Sequence, residues 1–425
     1  MQAAAEGTRP TAPVLSDEVM IEEVLVYSNR TPWYPQGGPD DYALADLSLD
    51  VPQGYNAVAG GARLSARTEG GRTYVAYHQD RPGKYITVVV GRLAEVVTTR
   101  AQAPIPIQCF SVGRTRGEAA AYVDKAAEML RFYEQEFGPY PYGSLTVVIV
   151  EGQTPGGHSP PGMVILAQRP LLMRHGLQDD PANFTDVPGF FLAHELAHQW
   201  WGHGVSGQNY HERWLSEGAA QYAAALWTRQ SAGEDTFRDV LERMGRWALR
   251  MTSKGPIYLG YRLGHLKNDP QIFRAVVYDK GAYVLHMLRE IAGEDAFRRG
   301  LTSFQADHRF GKAGTDDLRV SLEKASGKDL RPYFETWIRG TTLPRLRVSS
   351  RTGPAATGYV TTVEVTVEGL PRPVPLQIAL DLAEGKDLRE VDLGPEGGHW
   401  SFETSVPVQR VGVNDDRGLL AWIKR

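Results

Sequence analysis

Two histidines four residues apart with a glutamate between them, His194-Glu195-Leu196-Ala197-His198, are the residues of this chain best equipped for chemistry. On a helix, positions i and i+4 share a face, so both imidazoles can converge on one metal ion while Glu195 points beside it. Eighteen residues further on stands Glu217, in Trp214-Leu215-Ser216-Glu217-Gly218. Two neutral imidazoles and one carboxylate suit a zinc ion with a fourth position open to water. Bound there, zinc acidifies that water and polarises a substrate carbonyl. Glu195 is then the base that takes the water's proton and the acid that returns it to the leaving amine.

The competing explanation is a solvated helix on which His and Glu merely coincide. Against it, Phe190, Phe191, Leu192, Ala193, Leu196, Ala197, Trp200 and Trp201 make the segment apolar almost all round. Such a helix is buried, and buried His and Glu need partners, which a metal supplies. The three-histidine pattern His-Glu-x-x-His-x-x-Gly-x-x-His fails, because Gly202 comes one place late and His203 one place early. His203 and His211 are therefore read as polar residues near the helix end and in the loop that follows. Trp214 to Trp227, rich in Ala and Leu, reads as a second helix with Glu217 in its first turn. The helix dipole alone would favour a carboxylate there. Together with the histidine pair, metal ligation is the better reading.

These residues must be held by a sizeable scaffold, and 425 residues suffice for two or three domains with hydrophobic cores. A hydrophobic fraction of 42% with 23% charged residues is ordinary for a globular protein. The net charge of -4 argues against a polyanionic partner such as nucleic acid. Cys109 is the single cysteine, which excludes an intrachain disulfide and makes a buried, inert thiol the expectation. No run of eighteen apolar residues is present to span a membrane. The opening Gln2 to Pro13 reads as a loose leader or the start of a trimmed chain. It leaves the compartment open, either cytoplasmic or exported with the leader removed.

Periodicity orders the rest. Up to about residue 104, alternation such as Leu47, Leu49 and Val51 against Ser48 and Asp50, and again Tyr85 to Leu93, predicts half-buried strands. Arg116 to Glu136 carries a helical apolar repeat, and Leu145 to Val150 is a short strand. Nearly everything from Pro188 to Trp337 reads as helix. From about Pro344 alternation returns, in Val363, Val365 and Val367 and in Leu376, Ile378, Leu380 and Leu382, as in a small antiparallel β-sandwich. The expected fold is α+β and multi-domain: an N-terminal β-domain over 1–104, a mostly helical catalytic domain with a small sheet over 105–343, and a β-sandwich over 344–425.

Three segments in order then carry a resemblance: Phe191 to Gly202, Trp214-Leu215-Ser216-Glu217-Gly218, and Tyr278-Asp279-Lys280-Gly281-Ala282. They resemble the signature series of the gluzincin family that includes aminopeptidase N and leukotriene-A hydrolase. Weaker similarity reaches Pro32-Trp33-Tyr34-Pro35, Phe137 to Tyr142, and Tyr333 to Trp337. The resemblance implies a thermolysin-like catalytic domain, one zinc ion on His194, His198 and Glu217, and Glu195 as acid and base. It also implies Tyr278 as the phenol that hydrogen-bonds the developing oxyanion. Without it, Tyr278 reads as an amphipathic tyrosine packed at a helix start.

Two departures from the family bear on substrate. Its exopeptidases carry Gly-Ala-Met-Glu-Asn on an edge strand, where the backbone pairs with the peptide and the Glu binds the terminal ammonium. The corresponding stretch here is Gly156-Gly157-His158-Ser159-Pro160, so Ser159 takes the Glu position and supplies no charge. Glu151, or Glu22 and Glu23, are candidates to replace it, though each also reads as a solvated surface residue. The second departure is a compact, bacterial-type build, with a short N-terminal β-domain and without the family's large helical C-terminal domain, which implies a more open cleft. The expected activity is a zinc metallopeptidase acting on peptides, as an aminopeptidase. The alternatives are an endo- or oligopeptidase, and a non-catalytic interaction scaffold of the same fold.

Overall fold

The computed structural model describes residues 24–29, 33–36, 41–97, 103–117, 119–151, 156–168, 182, 184, 186–258 and 269–424. The fold is α+β, with several sheets and a largely helical middle. Among the described residues, no helix is long and apolar enough to cross a membrane. The chain divides into two compact units: Met1–Gln178, Thr185–Ser206 and Gln305–Ala313 form one, and Asp179–Phe184, Gly207–Phe304 and Gly314–Arg425 form the other.

Among the described residues, the first unit holds three sheets of three or more strands. Ala43–Pro52, Arg72–Gly83 and Ala62–Glu69 form an antiparallel one with Arg72–Gly83 in the middle. In Ala43–Pro52, Leu47, Leu49 and Val51 face inward against exposed Ser48 and Asp50, as alternation predicts. Val88–Gly91 lies between Val24–Tyr27 and Asn56–Ala59. Within the stretch 85–93 expected to be a half-buried strand, only these four residues are extended, and Val88 and Val89 are both buried because the strand is central.

The third sheet has five strands, in the order Gly156–His158, Met163–Gln168, Leu145–Glu151, Ile107–Ser111, Ala94–Val97. Its three inner strands are parallel and both edges antiparallel. Leu145 to Val150 are all buried, the continuous apolar run expected of an inner parallel strand. Cys109 is buried in the adjacent strand, and burial pushes its thiol up to about 12, so it stays protonated and inert. The helix Ala119–Phe137 buries Val123, Ala126, Leu130 and Tyr133, the stripe its repeat predicts.

In the second unit, helices Arg213–Ala232 and Glu234–Met251 are followed by Pro270–Phe273, which continues as a π-helix, Arg274–Lys280, and then as the α-helix Gly281–Ala292. Two sheets close the chain. Gly398–Thr404, Tyr359–Glu368, Arg345–Pro354 and Trp422–Lys424 form one, and Gly385–Leu393, Val374–Leu382 and Arg410–Val413 the other. Val363, Val365, Leu376, Ile378 and Leu380 are buried as their alternation requires. The span expected to be nearly all helix also holds two short strands, Val205–Gly207 and Gly311–Ala313, which pair with each other. Three-residue strands are too short to leave a period-two signal.

Candidate metal centre and its edge strand

The helix that carries the histidine pair is short, Phe190–Ala197, and His198 is its C-terminal cap. His198 keeps helical backbone angles (φ -59°, ψ -19°), so the i, i+4 relation to His194 survives the end of the helix. Aromatic packing fixes this segment. Tyr133 Oη donates to the Ala193 carbonyl at 3.0 Å and Trp200 Nε1 to the Gly138 carbonyl at 2.9 Å, while Tyr133, Phe137 and Tyr140 pack around the Trp200 indole.

The two imidazoles turn their Nε2 atoms toward each other, 3.2 Å apart. His198 Nδ1 donates to the Trp201 carbonyl at 3.0 Å, which fixes the tautomer that leaves Nε2 with its lone pair. Tetrahedral zinc with Zn–N bonds of about 2.0–2.1 Å sets its nitrogen ligands about 3.3 Å apart, so the pair fits. Among the described residues, one group has its donor atoms drawn together for a metal: His194, His198 and Glu217 each contribute one, all within 4.8 Å of one another.

Glu217 lies in the first turn but one of Arg213–Ala232, with Arg213 3.9 Å from Oε1. The start of this helix is anchored from far along the chain. Buried Glu212 accepts hydrogen bonds from Thr315 N at 2.8 Å and Oγ1 at 2.5 Å, and Trp214 Nε1 donates to Thr315 Oγ1 at 2.9 Å. One turn on, Gly218 lies against Gly281, where a Cβ on either would stand 3.0–3.1 Å from the other's Cα. This crossing sets the helix of Glu217 on the π-helix of half-buried Tyr278. Helices cross this closely only where neither side chain intervenes.

Gly156, Gly157 and Ser159 belong to the edge of the five-stranded sheet, Gly156 and Gly157 within the strand Gly156–His158 and Ser159 immediately after it. Ser159 is buried, and its hydroxyl donates to Glu195 Oε2. Buried His203 donates from Nε2 to the Ser159 carbonyl, and burial holds its imidazole far below its usual range, hence neutral. His203, read from the sequence as a polar residue near the helix end, thus has a defined partner. His211 sits elsewhere, its ring stacked on Tyr258 at 5.4 Å.

A further residue of this region had no role assigned from the sequence. Gln199, fully buried, donates from Nε2 to the carbonyls of Pro160 and Met163, both at 3.1 Å, and accepts from Gly162 N at 2.8 Å. Glu195, Gln199 and His203 recur every four residues and all grip the segment 159–163. That spacing was the available signal. Half-buried Glu151 ends the strand Leu145–Glu151; its neighbour Val150 pairs with Ala167, which pairs with Gly156, so Glu151 lies at the Gly156 end of the sheet. Glu22 and Glu23 lie outside the described residues.

The family model described as the peptidase family M1 domain matches residues 121–337. Aminopeptidase M1-C of Oryza sativa subsp. japonica is 26% identical over 306 residues, covering 71% of this chain and 34% of that protein. Aminopeptidase 2 of Candida albicans is 31% identical over 259 residues, 57% of this chain and 26% of that protein. Tricorn protease-interacting factor F2 of Thermoplasma acidophilum is 28% identical over 232 residues, 52% and 28%. The chain therefore spans about a third of the length of these relatives or less. The crystal structure of Legionella pneumophila aminopeptidase A in complex with aspartic acid superposes with a TM-score of 0.69 over 91% of this chain and 45% of that one. At 19% identity, this shows a shared fold.

Proposed function

The chain belongs to peptidase family M1, and from that premise we propose that it is a zinc-dependent metallopeptidase, an aminopeptidase that releases amino-terminal residues from peptides. The grouping of donor atoms from His194, His198 and Glu217 is the observation that carries this reading. These three residues would hold the ion, and zinc there supplies Lewis-acid polarisation of the scissile carbonyl and a water acidified toward neutral pH. Glu195 takes the proton of the attacking water and delivers it to the leaving amine. The Tyr278 phenol donates a hydrogen bond to the oxygen on which charge develops. Gly156 and Gly157, on an edge strand, offer backbone groups to an extended peptide, and Glu151 is the candidate for its ammonium.

Elemental analysis of the purified protein and a Glu195→Gln variant test this. The expected result is one zinc per chain in both proteins, with turnover of amino-acid anilides reduced by about 10²- to 10⁴-fold in the variant. Unchanged turnover, or protein without zinc that is fully active, would overturn it.

A second reading, an endo- or oligopeptidase, is favoured by one observation. The position where family exopeptidases carry the amine-binding glutamate is a serine already bound to Glu195. Amino-blocked peptides assayed beside free ones separate the two: cleavage of both at equal rates rejects the aminopeptidase.

A further inference from the structure

Ser159 is engaged at both of its polar ends, its hydroxyl with Glu195 Oε2 and its carbonyl with His203 Nε2. All three residues are buried. The terminal torsion of a glutamate is broad, so a free carboxylate presents either oxygen. A donor held on one oxygen removes that freedom. The other oxygen, Oε1, faces the bare Cα of Gly157 on the edge strand. The serine itself is held in place, because Gln199 fastens the turn 160–163 just beyond it and His203 fastens its own carbonyl.

From these contacts we propose that Ser159 is the positioning residue of Glu195, holding Oε2 so that Oε1 alone handles the proton, and that position 159 takes no part in recognising the substrate's amine. The proposal rests on Glu195 being the proton carrier. It separates two duties that a glutamate at this position could not combine: a carboxylate beside Glu195 has no proton to donate at neutral pH and repels it. A hydroxyl donates and carries no charge. Ser159 therefore acts on the rate of the chemical step and leaves discrimination between free and blocked amino termini to other residues.

Ser159→Ala and Ser159→Thr in the full zinc-loaded chain test this, assayed with amino-acid anilides and amino-blocked peptides. Zinc content and melting temperature are measured alongside. Removing the hydroxyl is expected to lower kcat by about 10- to 100-fold with KM within about twofold, and restoring it with threonine to recover most of kcat. The ratio of free to blocked substrate turnover should be the same in all three proteins. A wild-type kcat in Ser159→Ala, an effect confined to KM, a changed free-to-blocked ratio, or a Ser159→Thr no faster than Ser159→Ala overturns the proposal. Glu195→Gln separates the two levels: if it keeps turnover, the proton-carrier assignment falls and takes this proposal with it. If it is inactive while Ser159→Ala is fully active, this proposal alone falls.

Discussion

Gly157 leaves the space that the Glu195 carboxylate occupies: a Cβ at position 157 would stand 2.3 Å from Oε1 and 2.4 Å from Cδ. The obstructed atoms, Cγ at 2.7 Å among them, belong to the buried Glu195 side chain that Ser159 holds, so Gly157→Ala should displace the carboxylate at a cost in stability. We expect zinc content near wild type, a lowered melting temperature and kcat lowered by at least about tenfold. Steady-state kinetics with elemental analysis measures both. Full activity in the alanine variant would show that Glu195 can work from another rotamer.

The Gly218–Gly281 crossing predicts a different failure. A Cβ on Gly218 would meet the Val277 carbonyl oxygen at 2.9 Å and Gly281 Cα at 3.0 Å, both backbone atoms that cannot step aside. Gly218→Ala should cost about 1–3 kcal/mol in chemical denaturation. It should also weaken zinc retention during dialysis against a chelator, because Glu217 is the next residue along. Unaltered stability would mean that the two helices separate freely.

Lys280 follows Tyr278 by two residues and is fully buried, its Nζ 3.3 Å from the Gly340 carbonyl. Burial lowers its pKa to about 7, against about 10.4 for an unfolded lysine. Between those values the unfolded chain binds a proton that the folded one does not, so stability rises with pH from about 7 to about 10 and is flat below. The slope is at most about 1.4 kcal/mol per pH unit. Urea unfolding at pH 7.5 and 9 should show this gain in the wild type and its loss in Lys280→Met. Equal pH dependence of the two proteins would place the proton elsewhere.

Much of this architecture is legible in the order of residues alone. The histidine pair is spaced by helix geometry, and Leu47, Leu49 and Val51 or Val363 and Val365 mark their strands because burial imposes a period that a sequence retains. Contacts between residues distant in sequence leave no such trace. Nothing in Gly156-Gly157-His158-Ser159-Pro160 shows that Ser159 reaches a residue 36 positions away. Read alone, that serine is only a missing charge. His203 could be told from a ligand by its spacing, but not matched with the Ser159 carbonyl. The π-helix at Tyr278 escapes for a related reason, since its wider turn continues an apolar pattern with a small shift that one sequence does not resolve.

In the every-fourth-residue stripe, Glu195 and His203 share Ser159, while Gln199 holds Pro160, Gly162 and Met163. The two segments are thus a matched set, tooth and notch, and neither can be exchanged alone. Grafting a glutamate-bearing pentapeptide onto this scaffold would import one half of a lock whose other half was cut for serine. A glutamate at position 159 would require replacing both halves together.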